Sequence, residues 1–177
     1  MVCGQGYNAV SMRDIAGAVG VRPSAIYNHF AGKQEILVEL MRETMEAISA
    51  GLAEAMSQDG PLDILLEQFL RFHIAFHIDN PQVGFLSYME LRSLEEPGKA
   101  DVLAMRDAYE SKLRAILYEG QKAGVFQSDH PDILARAILA MLTGVTVWYR
   151  PDGALQREEV IDSYVKAALR SAGLKKE

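Results

Sequence analysis

Apolar residues along the chain recur at intervals of three and four, and the segments they mark are separated by Gly and Pro breaks rather than by alternating β-branched runs. This pattern predicts helices throughout. Two short ones come first: Ser11 to Val19, with Ser11 as N-cap and Asp14 in a capping-box arrangement, and Pro23 to Phe30, where Pro23 suits the first turn. Longer helices are predicted from Lys33 to Met56, stopping at Asp59-Gly60-Pro61, and from Leu62 to Ile78, stopping before Asn80-Pro81. The rest run from Gln82 to Leu94, Lys99 to Lys122 with a close at Gly124, Pro131 to Tyr149, and Arg157 to Ser171 beyond Pro151-Asp152-Gly153. The expected fold class is all-α.

Composition adds bounds. Over 177 residues, 49% hydrophobic and 24% charged, the chain reads as an ordinary folded protein rather than a disordered one. Apolar stretches such as Ala135 to Val147 read as too short for a membrane helix, and Met1 to Tyr7 lacks the regions of a signal peptide, so no membrane partner and a cytoplasmic location are expected. The single cysteine, Cys3, excludes an internal disulfide framework and fits a reducing compartment. The formal net charge of -6 is unevenly spread: residues 1–36 carry Arg13, Arg22 and Lys33 against Asp14 and Glu35, so the acidity belongs to the C-terminal body. That asymmetry permits a nucleic-acid-binding head on an acidic domain.

The two short helices are joined by Gly20-Val21, and Ala16, Gly20 and Ile26 have the spacing of a helix-turn-helix. Ala16 is small enough for a close crossing, Gly20 can take the left-handed backbone of a tight turn, and Ile26 packs back between the helices, with Ile15, Val19, Val21 and Phe30 as apolar support. In this geometry the second helix enters the major groove. Arg22, Ser24, Ala25, Tyr27, Asn28 and His29 are the exposed candidates. Arg22 can pair with guanine, Asn28 with adenine, and Ala25 can meet a thymine methyl, with phosphate contacts an equal alternative. Ser11, Tyr27 and Lys33 are placed for the phosphates of the DNA backbone, and Arg13 is a further DNA-binding candidate. Taken singly, Tyr27 and His29 read equally well as packing residues and Arg22 as a solvated charge.

The residues Ser11-Met12-Arg13-Asp14-Ile15-Ala16, Gly20-Val21 and Ala25-Ile26-Tyr27-Asn28-His29-Phe30, followed by Lys33 and Leu37, resemble the tetracycline-repressor (TetR) family. The resemblance implies a helix-turn-helix DNA-binding domain over residues 1–36 and a C-terminal helical-bundle ligand-binding and dimerisation domain over residues 37–177. It implies a homodimeric repressor, not an enzyme, with no cofactor, whose partners are a palindromic double-stranded DNA operator and a small, largely apolar effector that releases it. Two departures stand out. Arg22 occupies the position where the family carries Ser or Thr before the recognition helix, and only Met1 to Gln5 precede Gly6-Tyr7 where the family has a full helix. The expectation is that Ile15, Val19, Ile26 and Phe30 are partly exposed, at about 1.5–3 kcal/mol per large side chain, and that the natural start lies upstream.

In the body, Phe69, Phe72, Phe76, Phe85, Tyr88, Met89, Met105, Tyr109, Met141 and Trp148 fall on a few helices. They read as bundle core, or in part as the lining of an apolar ligand cavity. His73, His77, Arg92 and Thr143 are the polar groups that can orient a ligand there. His73 and His77 stand four apart, a spacing that also suits a metal, but no third ligand is identifiable and no metal site is assigned. The segment Trp148-Tyr149-Arg150-Pro151-Asp152-Gly153 resembles one found in family members controlling fatty-acid or steroid breakdown, whose effectors are acyl-CoA thioesters. By that resemblance Arg92 and Arg150 are candidates for the CoA phosphates, with solvated or helix-capping arginines as the alternative.

The last two helices are the expected dimer interface, through Ile133, Ala137, Ala140, Met141, Gly144 and Val147 on one and Val160, Tyr164, Ala167 and Ala168 on the other. Two other readings stay open: a helical-bundle enzyme using His73 and His77 with a carboxylate such as Glu67, and a DNA-binding head on a protein-docking adaptor. The sequence holds no nucleophile elbow, phosphate-cradling glycine loop or His-Glu-x-x-His motif.

Overall fold

The structure, a computed structural model, describes residues 6–56 and 59–174 except for the side chain of Ser87. Cys3 and the rest of the first five residues lie outside the described residues. After a 3-10 turn at Tyr7–Ala9 come α1 Met12–Ala18, α2 Pro23–Tyr27, α3 Lys33–Ala55, α4 Leu62–Asp79 and α5 Pro81–Met89. A second 3-10 turn, Leu91–Ser93, leads to α6 Gly98–Lys122, α7 Pro131–Thr143, α8 Val145–Trp148 and α9 Arg157–Ser171. The protein is all-α: no strand occurs among the described residues.

The head is shaped by short-range backbone chemistry. Ser11 Oγ accepts the Asp14 N–H at 3.3 Å while the Asp14 carboxylate accepts the Ser11 N–H at 2.8 Å, the reciprocal capping box predicted. Gly20 takes a left-handed φ of 72°, which lets the Val21 N–H return to the Ala16 carbonyl at 3.0 Å and turns the chain into α2. Ala16 is fully buried at the crossing and Ile26 is 9% exposed. Pro23 opens α2, and its N-cap, Arg22, makes no side-chain cap bond. Ile15 and Phe30 are half-buried and Val19 is 63% exposed, as expected, whereas the expected exposure of Ile26 is corrected: it is buried between the two helices.

The body is organised around α4, which packs against α3, α5, α6, α7, α8 and α9. Leu66, Phe69, Leu70 and Ile74 of α4 interlock with Leu113 and Leu117 of α6, Ile138 and Leu142 of α7, and Val165 and Ala168 of α9. A second, smaller cluster joins Tyr7 of the head to Leu37 and Met41 of α3, Leu86 of α5, and Leu94 and Val102. The boundary drawn after residue 36 thus falls inside α3, one continuous helix that begins in the head and runs through the body.

Three further sequence expectations need correction. The helix expected from Gln82 to Leu94 ends at Met89, because Glu90 turns its carboxylate to the head and the chain tightens into a 3-10 turn with the Ser93 N–H on the Glu90 carbonyl at 2.9 Å. The helix expected from Pro131 to Tyr149 is interrupted at Gly144, whose carbonyl accepts from the Val147 N–H at 3.1 Å in a tighter i, i+3 turn. Finally, the apolar stretch is longer than expected: residues 131–148 are 18 residues with mean hydropathy 1.3, enough by length and composition to cross a membrane. Its Ala135, Ile138, Leu142 and Val145, at 0–1% exposure, are packed into the bundle core.

Candidate nucleic-acid interface and buried cavity

The face of the head presents Arg13, Arg22, Ser24, Ala25, Tyr27, Asn28 and His29, all exposed. Tyr27 is 54% exposed although large and aromatic, which leaves it available to an outside surface rather than to packing. The Ser11 hydroxyl is already engaged, donating to Asp14 Oδ2 at 2.6 Å, and this holds the Asp14 carboxyl below its ordinary range. Lys33 differs from its expected role most. Its ammonium donates to the carbonyls of Tyr7 and Val10, both at 2.8 Å, and lies 4.1 Å from the centroid of the Tyr7 ring. Instead of reaching outward, it ties the 3-10 turn to the start of α3.

Inside the body is a cavity of about 80 Å³ bordered by α3, α4, α5, α6 and α7. Met45, Ile48 and Leu139 supply apolar wall beside Thr44, whose hydroxyl donates to the Leu40 carbonyl at 2.6 Å, and His73, His77, Thr143 and Tyr109 supply a polar strip. The strip is a chain of hydrogen bonds: Tyr109 Oη to His73 Nδ1 at 3.0 Å, His73 Nε2 to Thr143 Oγ1 at 3.1 Å, and Thr143 Oγ1 to His77 Nε2 at 3.4 Å. Burial, reinforced by the charges of His77 and Arg106, pushes the His73 imidazole well below its ordinary pKa; burial and then Arg106 bring His77 down to about 4. Burial pushes the Tyr109 phenol up. At neutral pH the strip is therefore uncharged and made of donors and acceptors. His77 Nδ1 is buried without a hydrogen-bond partner and lies against Gly84 of α5.

Of the aromatic and sulfur residues singled out in the sequence, the cavity is lined by Tyr88 and Tyr109. Phe69 stands behind them in the core, stacked on His73 at 6.1 Å. Phe72, Phe76, Met89, Met105, Met141 and Trp148 do not line it; Phe85 borders a separate shallow groove with Arg150, and Arg92 sits exposed beside the Tyr7 turn. The Trp148 indole N–H donates to Tyr164 Oη at 2.9 Å on the surface. Arg106, Glu110 and Gly84 also line the cavity, and sequence reasoning does not find them. Arg106, one turn before Tyr109 on a helix with an apolar face, carries the one sequence signal available: a charge at a position facing inward.

Of the proposed dimer residues, Ile133, at 64% exposure, Ala137 and Ala167 are exposed, and Met141, Gly144 and Tyr164 are half-buried. Val160 and Ala168 are corrected: at 3% and 0% exposure they point into the chain's own core against α4 and cannot meet a partner. The enzyme constellation does not assemble either. Glu67 accepts from Arg71 Nε at 3.0 Å, and that arginine reaches on to Asp162 of α9, away from His73 and His77. Among the described residues no group of three His, Cys, Asp or Glu is placed to hold a metal ion.

A head that presents a polar second helix outward, on a helical body with its own cavity, has the arrangement of a helix-turn-helix DNA-binding regulator. Comparison with known proteins gives the family. The description "Bacterial regulatory proteins, tetR family" matches residues 4–40 and "Tetracyclin repressor-like, C-terminal domain" matches residues 65–172. The chain belongs to the TetR family of transcriptional regulators. It is similar to the HTH-type transcriptional repressor KstR2 of Mycobacterium tuberculosis, 28% identical over 180 residues covering 100% of this chain and 88% of that protein. It is also similar to the crystal structure of the TetR family regulator PfmR from Thermus thermophilus, 32% identical with a TM-score of 0.83 over 96% of this chain and 92% of that one. AibR, solved in complex with isovaleryl coenzyme A and operator DNA, shares the fold at a TM-score of 0.84 and 21% identity, covering 94% of this chain and 90% of that one.

Proposed function

We propose that this regulator is a ligand-responsive repressor, a homodimer that leaves a palindromic operator when a small, largely apolar effector enters the body. The observation that carries the reading is the cavity: an apolar wall crossed by an uncharged strip of hydrogen-bonding groups, with Arg106 and Glu110 also on its lining and a buried His77 nitrogen without a hydrogen-bond partner at one end of the strip. Such a lining suits a hydrocarbon body with a carbonyl or hydroxyl group, which can take the bond that His77 lacks. About 80 Å³ is well below the roughly 300–1,000 Å³ of sites that hold drug-sized ligands. A ligand of that size is accommodated only when a wall of the cavity moves.

An acyl-CoA thioester is the proposed effector, on the Trp148–Gly153 segment and on the similarity to KstR2; the complex of AibR with isovaleryl coenzyme A, on the same fold, supports the reading. Base edges fall to Arg22, Ser24, Ala25, Asn28 and His29, and the phosphates to Arg13 and Tyr27. The partner subunit docks on Ile133, Ala137, Met141 and Ala167, a C2 arrangement that sets two heads on successive turns of major groove. Calorimetric titration of the full chain with a panel of acyl-CoAs, followed by gel shifts on DNA from upstream of its own gene, tests the proposal. At least one thioester is expected to bind and release the DNA; a panel without binding removes the acyl-CoA assignment, and DNA release by none of them removes the ligand response.

A further inference from the structure

In the strip of Tyr109, His73, Thr143 and His77 each neutral group has a single proton to give, so the bonds between them order one another. The Tyr109 phenol is buried, tilted against Phe69, and its hydrogen-bond partner among the described residues is His73 Nδ1 at 3.0 Å. With the His73 proton on Nδ1, the phenol would hold a buried proton without an acceptor, which burial penalises. Tyr109 therefore donates, His73 keeps its proton on Nε2, and that N–H donates to Thr143 Oγ1 at 3.1 Å. The Thr143 hydroxyl, having accepted, gives its own proton to His77 Nε2 at 3.4 Å, which leaves the His77 proton on Nδ1. Other arrangements strand a second buried group: the reversed order strands the phenol proton, and two imidazoles donating to Thr143 strand the hydroxyl proton. In the order that remains one group is left over, and it is a donor, the His77 Nδ1–H, at the buried nitrogen without a partner. Gly84 faces that nitrogen, and a Cβ there would collide with it, so any larger residue would cap the N–H; His77 and Gly84 both line the cavity.

We propose that the strip is a polarised relay: Tyr109 sets its direction from one end, and the His77 N–H at the other end reads a hydrogen-bond acceptor on the effector. The acceptor is a carbonyl oxygen, which in the acyl-CoA reading is that of the thioester, and an ammonium or other pure donor is refused. Arg106, on the same lining, adds positive charge that also favours an acceptor oxygen on the ligand. His77 is the contact, and His73, Thr143 and Tyr109 are positioning residues that hold its proton on the cavity side. The proposal rests on the reading of the cavity as the effector site, and it narrows the effector's polar group to an acceptor.

Proton–nitrogen correlation NMR of the full chain, isotope-labelled at histidine and free of ligand and DNA, reads which ring nitrogen of each histidine carries the proton. At neutral pH His73 is expected to be protonated on Nε2 and His77 on Nδ1. Three variants test the direction of the relay. Tyr109→Phe removes the first donor and is expected to release both imidazoles to mixed tautomers. Thr143→Val breaks the strip in the middle and releases His77 alone, and Thr143→Ser, which keeps the hydroxyl, restores the wild-type pattern. Unchanged tautomers in Tyr109→Phe and Thr143→Val would reduce both residues to packing and overturn the relay, as would a His77 proton on Nε2 in the wild type. The second measurement is calorimetric titration with an acyl-CoA and with its thioether analogue, in which a methylene replaces the carbonyl. The thioester is expected to bind about tenfold more tightly, the scale of one hydrogen bond, and equal binding overturns the acceptor assignment. If no acyl-CoA binds, the acyl-CoA reading falls, while the tautomers of the unliganded chain still uphold or overturn the relay.

Discussion

Between Ser11 and Phe30 only Ala16 and Ile26 are buried, whereas α4 alone buries Leu66, Phe69, Leu70, His73, Ile74, His77 and Ile78. The head takes its shape from local devices, a capping box, a left-handed glycine and an N-terminal proline, that would act in any context. The body takes its shape from side chains far apart in sequence that exclude water together. What links the two is a small set of long-range bonds at Tyr7, through Lys33 and Glu90, so the shape of the head is its own and its placement is supplied by the body.

The largest losses are expected in the body. Phe69→Ala, at a fully buried position stacked on His73 and tilted against Tyr109 at 5.4 Å, is expected to cost about 3–5 kcal/mol. Urea unfolding followed by circular dichroism checks this; an unchanged midpoint would show that the bundle does not rest on this layer. Acid acts next. His77 is held down to about 4 from 6.5, so between those values the unfolded chain binds a proton that the folded chain refuses. Stability therefore falls as the pH drops from 6.5 towards 4, by about 3 kcal/mol for His77 and with His73 adding in the same direction, and this contribution levels off below. Unfolding curves at pH 7, 5.5 and 4.5 are expected to show that slope, and His77→Gln to flatten it.

Smaller effects separate anchor from reader. Lys33→Ala removes an anchor worth about 1.5–3 kcal/mol of local hydrogen bonding and is expected to weaken binding on every DNA sequence while leaving the salt dependence unchanged. Arg22→Ala, at an exposed position, is expected to lower the slope of log affinity against log salt by about one. A reduced slope in Lys33→Ala would return that residue to the phosphates. Smallest is Ser11→Ala, which opens the capping box at about 1 kcal/mol; faster amide exchange confined to α1 is the expected reading, and an effect spreading into α4 would contradict the locality of the head.

Much of this is legible in the order of residues. The helix-turn-helix can be read because Ala16, Gly20 and Ile26 act within one turn of chain, and the long helices because Asp59-Gly60-Pro61, Asn80-Pro81 and Gly124 stop them locally. His73, His77 and Thr143 are recognisable as polar groups of a pocket, but their order along one hydrogen-bonded strip depends on bonds across 36 to 70 residues. The anchoring role of Lys33 escapes a local reading for the same reason: its partners are 26 and 23 residues away, and only packing brings them under its ammonium. Val160 and Ala168 sit on a helix whose inner and outer stripes are both apolar or small, and periodicity alone does not say which stripe meets α4.

Residue order is enough for the helices, for the turn between α1 and α2 and for the polar face of the second, because those follow from backbone preferences and nearest neighbours. Where the cavity lies, which of many aromatic residues line it, and that the last turn of α5 is spent on holding Tyr7 are settled by tertiary packing. These depend on which apolar faces meet, a choice made by the whole buried surface at once, and no local pattern of residues contains it.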